Sequence, residues 1–168
     1  MASPVLGIDP GLNGALALLI DNRVHVWDMP TMKVKRGTKF KREVSPVMLA
    51  HTLREIDLMA ESAGVANDLR AYVERVGAMP GQGVTSMFSF GRSLGLIEGA
   101  LAGLTIPFEF VPPGTWRRGM SVRKGKDGSR LRASELWPSQ AGLFARVKDD
   151  GRAEAALIAA YGRKRGTQ

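Results

Sequence analysis

Two carboxylates in the sequence stand at the ends of apolar runs, each just before a glycine-containing loop. Asp9 ends the run VLGID, and Glu74 follows the run LRAYV. Carboxylates that emerge side by side at one edge of a sheet bind hard metal ions such as Mg²⁺. An Asp before glycines also occurs where a chain cradles the phosphate of a nucleotide. This feature alone leaves both chemistries open.

A second acidic group opens the last predicted helix and contains Asp149, Asp150 and Glu154. Asp150 and Glu154 are four positions apart, a spacing that places two side chains on one helix face. Several carboxylates brought together repel one another unless a cation joins them, which favours a pair of Mg²⁺ or Mn²⁺ ions. The chain has no cysteine and two histidines, so a thiolate or histidine-rich zinc site is not expected.

Each acidic residue also has a purely structural explanation. Asp9 suits a turn before Pro-Gly, and Glu74 has Arg75 beside it as an ion-pair partner. Asp149 and Asp150 suit the start of a helix, where they cap it and meet the positive end of its dipole. The joint pattern, rather than any one residue, favours a metal site.

Positive charge is concentrated in two segments of a chain whose formal net charge is +8. Residues 33–42, KVKRGTKFKR, carry six bases and no acid, and residues 117–130, RRGMSVRKGKDGSR, carry six bases and one Asp. We interpret both segments as loops. Clustered bases of this kind favour a polyanionic partner, nucleic acid above all. The alternative is that they are solvated mobile loops.

Periodicity and turn residues predict the elements that would hold these side chains. Strands are expected at 4–9, 14–20, 23–28, 69–73 and 108–111. Helices are expected from Ser45-Pro46 to Gly64 and at 86–101, 115–118, 129–137 and 151–161. Strands separated by helices pair in parallel, so we expect one α/β domain, residues 1–168, whose mixed five-stranded sheet has three antiparallel and two parallel strands.

Glycine recurs every fourth residue in the helix predicted at 86–101, at Gly91, Gly95 and Gly99. Each glycine costs a helix about 1 kcal/mol relative to alanine, which suggests close packing against another backbone. Met87, Phe88, Phe90 and Leu94 flank this stripe as either ordinary core or a self-complementary dimer face. No apolar run approaches the roughly 18 residues that span a bilayer, and the N-terminus does not have the form of a signal peptide.

Five stretches of the chain carry a resemblance to a known family: GIDPGLNGALAL, YVERV, FGRSLGLIEGAL, VPPGTW and DDGRAEAALIAAYG. In this order and spacing they resemble the RuvC-type Holliday junction resolvases, or crossover junction endodeoxyribonucleases, of the ribonuclease H-like superfamily. The similarity is greatest to the phage- or prophage-encoded branch. It implies a ribonuclease H-like fold and a Mg²⁺-dependent endonuclease that nicks four-way DNA junctions as a homodimer.

The resemblance also implies the residues of a two-metal site. Asp9 would bridge both ions, Glu74 would bind one, and Glu154 would be the later of two ligands on the last helix. Bacterial members place the earlier ligand three residues before, where this chain has Gly151. Asp150 is the nearest acid and our first choice, with Asp149 second. Two Mg²⁺ ions, or Mn²⁺ in their place, would hydrolyse the phosphodiester and leave a 5′ phosphate and a 3′ hydroxyl.

The DNA contacts expected on this basis are bases that neutralise phosphates and one apolar wedge. Bacterial resolvases insert an aromatic wedge from the loop after the second acidic strand, where this chain has RVGAMPGQGV. Met79 is the bulky candidate there, unless it packs under its own loop. The predicted phosphate contacts are Lys33, Lys35, Arg36, Lys39, Lys41, Arg42, Arg117, Arg118, Arg123, Lys124, Lys126 and Arg130.

Three other functions compete with junction resolution. Actin-like ATPases share the opening Asp-x-Gly phrase, but they need two such domains and a second phosphate loop. A broader nuclease of forks and flaps, and a non-catalytic junction-binding protein, fit the same residues. We expect branched DNA as partner, a bacterial cytoplasmic location with a possible phage or prophage origin, no membrane association and no nucleotide cofactor.

Overall fold

The computed structural model describes residues 3–63, 69–77, 81 and 83–166. Its helices are α1 (Pro46–Ser62), α2 (Val84–Gly103), α3 (Pro113–Gly119), α4 (Gly128–Leu136) and α5 (Asp150–Gly166), with 3₁₀ turns at Pro138–Phe144 and Val147–Asp149. Its strands are β1 (Val5–Asp9), β2 (Ala15–Ile20), β3 (Arg23–Asp28), β4 (Thr31–Arg36), β5 (Lys39–Val44), β6 (Arg70–Glu74) and β7 (Phe108–Val111).

The main sheet has the strand order β3-β2-β1-β6-β7. β2 pairs antiparallel with β1 and β3, whereas β6 pairs parallel with β1 and β7. The predicted mixed five-stranded sheet is therefore confirmed. Its parallel half follows from the helices between those strands, because a crossover returns the chain in the same direction.

Helices cover both faces of this sheet, and the side chains of β1 alternate between them. Leu6 and Ile8 are fully buried in a core shared with α1 and α2. Val5 lies in the opposite core, which contains α5 and residues of α3 and α4. Since successive strand residues point to opposite faces, Gly7 and Asp9 share the α5 side of β1 with Val5.

Gly7 allows α5 to lie directly on β1. A Cβ atom at this position would stand 2.0 Å from the carbonyl oxygen of Ala155 and 2.5 Å from the amide nitrogen of Ala159. No side chain fits in that space, so the helix backbone reaches the strand backbone. Asp9, two residues further on, therefore ends its strand beside α5.

Residues 33–42 form a β-hairpin, so our interpretation of them as a loop is wrong. β4 and β5 pair in a separate two-stranded antiparallel sheet, with Lys33 opposite Arg42 and Lys35 opposite Phe40. Gly37 turns the chain between the strands with φ of 63°, a conformation that glycine adopts without strain. Bases lie on both faces of the hairpin, which hides the alternation that usually reveals a strand.

The glycine stripe of α2 is exposed in the single chain, so it is not part of the core, and the dimer-face alternative stays a prediction. A Cβ atom at Gly91, Gly95 or Gly99 would meet nothing within 4 Å. Phe88 is 75% exposed, so it is not a core residue either. The core contact of α2 comes from the opposite side of the helix, where Ile97 and Leu101 are fully buried.

The predicted start of α1 is confirmed. Ser45 caps the helix, its Oγ accepting a hydrogen bond of 3.4 Å from the amide of Met48, and Pro46 occupies the first position. Gly64, the predicted stop, lies outside the described residues. Among the helices that the structure describes, none is long and apolar enough to cross a membrane.

Candidate metal centre and nucleic-acid interface

Asp9, Glu74 and Glu154 come together at the carboxyl ends of β1 and β6. Each offers one carboxylate oxygen, and these oxygens all lie within 4.8 Å of one another. Tyr72, two residues before Glu74, packs against Gly162 of α5. The two-residue period of a strand therefore turns Glu74 toward α5, as it does Asp9 on β1, and Glu154 meets them from the helix.

The glycines after Asp9 form a tight turn. The Gly11 amide donates a hydrogen bond of 3.2 Å to Asp9 Oδ1, and the Gly14 amide donates one of 2.9 Å to the Gly11 carbonyl. The turn then leads into β2, which returns beside β1. These two amides are engaged within the turn, which accounts for the glycines without a nucleotide phosphate.

Burial and mutual repulsion make this cluster a poor place for uncompensated negative charge. Burial raises the pKa of Asp9 to about 7, and the neighbouring carboxylates of Glu154 and Glu74 add to the rise, while the Gly11 amide opposes it. Burial also raises the pKa of Glu74, against the lowering effect of a bond from Trp116. A donor set of three carboxylates that resist shared ionisation fits a hard divalent cation.

Neighbouring side chains hold two of the carboxylates in place. The indole Nε1–H of Trp116 donates a buried hydrogen bond of 2.9 Å to Glu74 Oε1. The hydroxyl of Ser129 donates to Glu154 Oε1 at 3.2 Å, and Arg117 forms an ion pair with the same oxygen. The sequence patterns assigned no role to Trp116 or Ser129, because no local pattern reveals a bond between residues 42 apart along the chain.

The structure does not bring Asp149 or Asp150 into the described cluster. The Asp149 side chain is 1% exposed and accepts hydrogen bonds from the Arg146 guanidinium, at 2.8 Å, and from the Arg146 amide, at 2.9 Å. Asp150 accepts a bond of 2.8 Å from Arg130 Nε. The metal-ligand role of either residue stays a prediction.

Position 151 has no room for a ligand on this backbone. A Cβ atom on Gly151 would lie 2.3 Å from the carbonyl oxygen of Asn13 and 2.8 Å from the Cα of Gly14. The first turn of α5 thus packs directly on the turn after Asp9. The same close packing that excludes a side chain here helps bring Glu154, one helical turn later, toward Asp9.

The predicted phosphate contacts fall into exposed and paired groups. Exposed residues are Lys33, Lys35, Lys39, Lys41 and Arg42 on the hairpin, and Arg118, Lys124 and Lys126 after the main sheet. Residues paired with acids are Arg36 with Glu43, Arg117 with Glu154, Arg123 with Glu135, and Arg130 with Asp127 and Asp150. Met79, the predicted wedge, lies outside the described residues.

The basic hairpin stands beside the candidate metal centre. Arg42 on β5 donates a hydrogen bond to the carbonyl oxygen of Leu12, in the turn that follows Asp9. Glu43, the next residue, points to the other face of the strand and forms an ion pair of 2.5 Å with Arg92 of α2. The hairpin is thus attached both to the turn and to α2.

Comparison of sequences finds similarity to a Holliday junction resolvase. The chain is 35% identical over 157 residues to the chloroplastic Holliday junction resolvase MOC1 of Chlamydomonas reinhardtii. This alignment covers 83% of the chain and 17% of the relative, so the chain spans about a sixth of the length of that protein. No protein-family model matches the sequence.

Comparison of structures finds RuvC. T. thermophilus RuvC in complex with a Holliday junction substrate matches with a TM-score of 0.57 at 14% identity, over 98% of this chain and 96% of that one. A second Thermus thermophilus RuvC structure matches with a TM-score of 0.49 at 16% identity, over 98% and 97% of the two chains. The fold of the chain is therefore RuvC-like, as predicted. The chain is thus similar in sequence to a part of one Holliday junction resolvase and similar in fold to RuvC.

Proposed function

We propose that the chain is a Holliday junction resolvase, a metal-dependent endonuclease that nicks four-way DNA junctions. The observation that carries this proposal is the meeting of Asp9, Glu74 and Glu154 within 4.8 Å at the strand ends of a RuvC-like sheet. The relative from Chlamydomonas reinhardtii, named as a Holliday junction resolvase, supports the same activity. We assign it to a single nuclease domain, residues 1–168.

Asp9, Glu74 and Glu154 would hold the metal, with Asp150 or Asp149 as the further acid. Two Mg²⁺ ions, or Mn²⁺ in their place, would supply an activated water and stabilise the leaving 3′ oxygen, and the products would carry a 5′ phosphate and a 3′ hydroxyl. Other side chains of the protein orient these carboxylates. Trp116 orients Glu74 through a bond of 2.9 Å, and Ser129 orients Glu154 through one of 3.2 Å.

The exposed bases of the hairpin and of residues 118–126 would neutralise DNA phosphates on the side of the cluster. Binding of this kind releases counterions and weakens steeply with salt. Arg117 forms an ion pair with Glu154, so the phosphate that it would contact is one that lies at the acidic cluster. No nucleotide cofactor is needed for this chemistry.

Resolution of a junction requires paired incisions, and we propose that a homodimer makes them. A Cβ atom added at Gly91, Gly95 or Gly99 of α2 would have no atom within 4 Å, so this exposed stripe is the surface best suited to close approach of a second copy. Small residues let two helix backbones come together. For its location, we still predict the bacterial cytoplasm, with the gene carried by the cell or by a phage or prophage.

A panel of synthetic substrates tests this proposal. A four-way junction, a flap, a fork and a plain duplex are incubated side by side with the protein and Mg²⁺ or Mn²⁺, and nicks are mapped on denaturing gels. We expect symmetric nicks near the crossover of the junction and little cutting of duplex. Equal cutting of all branched substrates would favour the broader nuclease, binding without cutting would favour a non-catalytic protein, and equal cutting of duplex would contradict both resolvase and branch specificity.

A further inference from the structure

Arg117 is a positively charged side chain that lies at the acidic cluster of the candidate metal centre. Its guanidinium forms an ion pair with Glu154 Oε1, and its Nη1 donates to the hydroxyl oxygen of Ser129 at 3.4 Å. Ser129 in turn donates to the same Glu154 oxygen at 3.2 Å. Among the ion pairs that the structure describes, the one formed by Arg117 is the one that involves a carboxylate of the cluster.

The carboxylate that Arg117 contacts is also a candidate metal ligand. Glu154 offers an oxygen within 4.8 Å of oxygens of Asp9 and Glu74. Each oxygen of a carboxylate has two lone pairs, and Glu154 Oε1 already accepts bonds from Arg117 and Ser129. A metal ion that used this oxygen would therefore take the place of one of its two donors.

Of these two donors, Arg117 is the one that is able to leave. Its side chain is long and 38% exposed, whereas Ser129 is buried and its short side chain is fixed by the backbone of α4. The Arg117 guanidinium also lies over the ring of Trp116, 4.8 Å from its centroid, a cation–π contact that does not depend on Glu154. Loss of the ion pair thus leaves Glu154 oriented by Ser129 and leaves Arg117 with water and an aromatic face.

The positive charge of Arg117 acts on the whole cluster. Burial raises the pKa of Asp9 and that of Glu74, and the charge of Arg117 opposes the rise at both carboxyls. Arg117 therefore offsets part of the repulsion among the three carboxylates in the metal-free protein. The same charge repels a divalent cation that approaches these oxygens, whichever oxygen of Glu154 that cation binds, because charges a few ångströms apart in a partly buried site interact strongly.

We propose that Arg117 is the counter-ion of the metal-free cluster and competes with the divalent cation for Glu154. Arg117 stabilises the carboxylates while the site is empty of metal, and it releases Glu154 when the site is loaded. This inference rests on the proposed function and adds a form of regulation to it. The site loads metal only where the divalent cation is concentrated enough to displace an internal cation, so the contact is autoinhibitory.

The test measures metal binding without DNA, so that a contact between Arg117 and a phosphate does not contribute. Mn²⁺ is titrated into the whole chain at pH 8, and the EPR signal of the free ion gives the dissociation constant. We expect Arg117→Met, which keeps an unbranched stem and removes the charge, to bind Mn²⁺ more tightly than the wild type by on the order of 10-fold. That is the effect that one charge within about 4–6 Å has on proton binding by a carboxylate. Mn²⁺ should also raise the melting temperature of Arg117→Met by more than that of the wild type, because tighter binding stabilises the folded state further.

Two further variants identify the charge as the cause. Arg117→Lys should bind Mn²⁺ about as weakly as the wild type, since both side chains carry one positive charge on a flexible stem. Arg165→Met removes another arginine–glutamate ion pair, formed with Glu109 of β7 outside the acidic cluster, and should leave the Mn²⁺ affinity unchanged. Circular dichroism melting in EDTA confirms that each variant is folded.

The results that would overturn the inference differ from those that would overturn the proposed function. Unchanged Mn²⁺ affinity in Arg117→Met would show that Arg117 does not compete with the metal, and weaker binding would show that it only orients Glu154. Tighter binding by Arg117→Lys would assign the effect to shape rather than charge. Each of these results would leave the metal centre in place. A wild type that binds Mn²⁺ no better than Asp9→Asn would overturn the metal centre, and with it both the inference and the proposed function.

Discussion

Asp9 is the residue at which the electrostatics of the cluster are most unfavourable without a cation. It lies at the end of β1, beside the carboxylates of Glu74 and Glu154, and its pKa is raised to about 7. At a pH between 3.8 and about 7, the folded state without metal therefore holds a proton on Asp9 that the unfolded chain has released, and above that range it carries a destabilising charge. A bound cation removes this cost, which couples metal binding to stability.

The first prediction concerns the pH dependence of that cost. Because the pKa of Asp9 is about 7 when folded and near 3.8 when unfolded, its contribution favours the folded state at low pH and is lost as the pH rises through about 7. Asp9→Asn cannot ionise and keeps the acceptor for Gly11. In EDTA at pH 8 it should exceed the wild-type free energy of unfolding, measured in urea, by on the order of 1–3 kcal/mol, and at pH 4 by much less.

Asp28→Asn is the matched control. A bond from Arg152 lowers the pKa of Asp28, so this variant should lose stability at pH 8 rather than gain it. Added Mg²⁺ should stabilise the wild type and not Asp9→Asn. An Asp9→Asn variant less stable than the wild type in EDTA at pH 8 would show that the ionised Asp9 carboxylate does not destabilise the folded state.

Trp116 gives a second prediction. Trp116→Phe removes the N–H donor from Glu74 Oε1 and leaves a buried acceptor without its partner, at a cost of about 1–3 kcal/mol. Since that bond lowers the pKa of Glu74, its loss should raise the pKa further and weaken Mg²⁺ binding measured by calorimetry. The acidic limb of the pH–rate profile should move to higher pH.

Trp137→Phe distinguishes this effect from lost packing. Trp137 contacts Phe144, with ring centroids 6.1 Å apart, in the same core as α5, and forms no bond with the acidic cluster. It should lower stability and leave the pH–rate profile in place. The same profile for both variants would mean that Trp116 acts only by packing.

Among the elements, the β4–β5 hairpin is the one that the function would use most directly. It projects exposed lysines on both faces and is held to the turn after Asp9 by Arg42 and to α2 by Glu43. Attachment at two points gives the bases a fixed position, whereas a mobile loop would have to be ordered on binding. Ordering each residue costs about 1–2 kcal/mol in backbone entropy.

The hairpin's contribution is measurable as a salt effect. Replacing Lys33, Lys35 and Lys39 by Ser should weaken junction binding, and the slope of log K against log salt should fall by about 0.9 for each phosphate no longer neutralised. Arg54→Ser, which changes an exposed base of α1 outside the predicted set, is the control and should leave the slope unchanged. An unchanged slope in the triple variant would remove the hairpin from the DNA interface.

Sequence patterns predicted the elements that bury continuous or periodic apolar residues. The strands of the main sheet and the start of α1 follow from apolar runs, turn residues and a Ser-Pro cap. The β4–β5 hairpin was missed because both its faces carry lysine and arginine, although Gly37-Thr38 between two six-residue strands is a turn signal. The stripe Gly91, Gly95 and Gly99 does not pack within the chain, and its spacing alone could not distinguish a core face from the dimer face that we now propose.

The candidate site was also predicted only in part. Strand ends and helix spacing indicated Asp9, Glu74 and Glu154, which the structure brings together. The partners that orient them, Trp116 and Ser129, lie far away in sequence and carry no local signal. The pairing of Asp149 with Arg146 is local by contrast, because the two residues are three apart across the 3₁₀ turn at Val147–Asp149, which was not predicted.

For the whole molecule, the central expectation is a dimer built on the exposed face of α2. Sedimentation equilibrium should give twice the 18.1 kDa mass of the chain.

Gly95→Leu should favour the helix by about 0.8–1.0 kcal/mol and yet separate the copies, because the added side chain blocks close approach. The resulting monomer should bind junctions and lose paired incision, and Gly142→Leu, in a 3₁₀ turn with nothing within 4 Å of its Cβ, should remain a dimer. A monomeric wild type would contradict the dimer.

The decisive experiment for the proposed metal centre compares binding and nicking of one four-way junction by the wild type and by Asp9→Asn in Mg²⁺. Both proteins should bind with similar affinity in a gel-shift titration, since Asn keeps the turn and removes negative charge near the DNA. The wild type should leave nicks with 5′ phosphates, and the variant should lose at least about 100-fold in nicking rate, as expected when a metal ligand that acts on the transition state is removed. Nicking by Asp9→Asn at the wild-type rate would contradict the metal centre, and with it the proposed function.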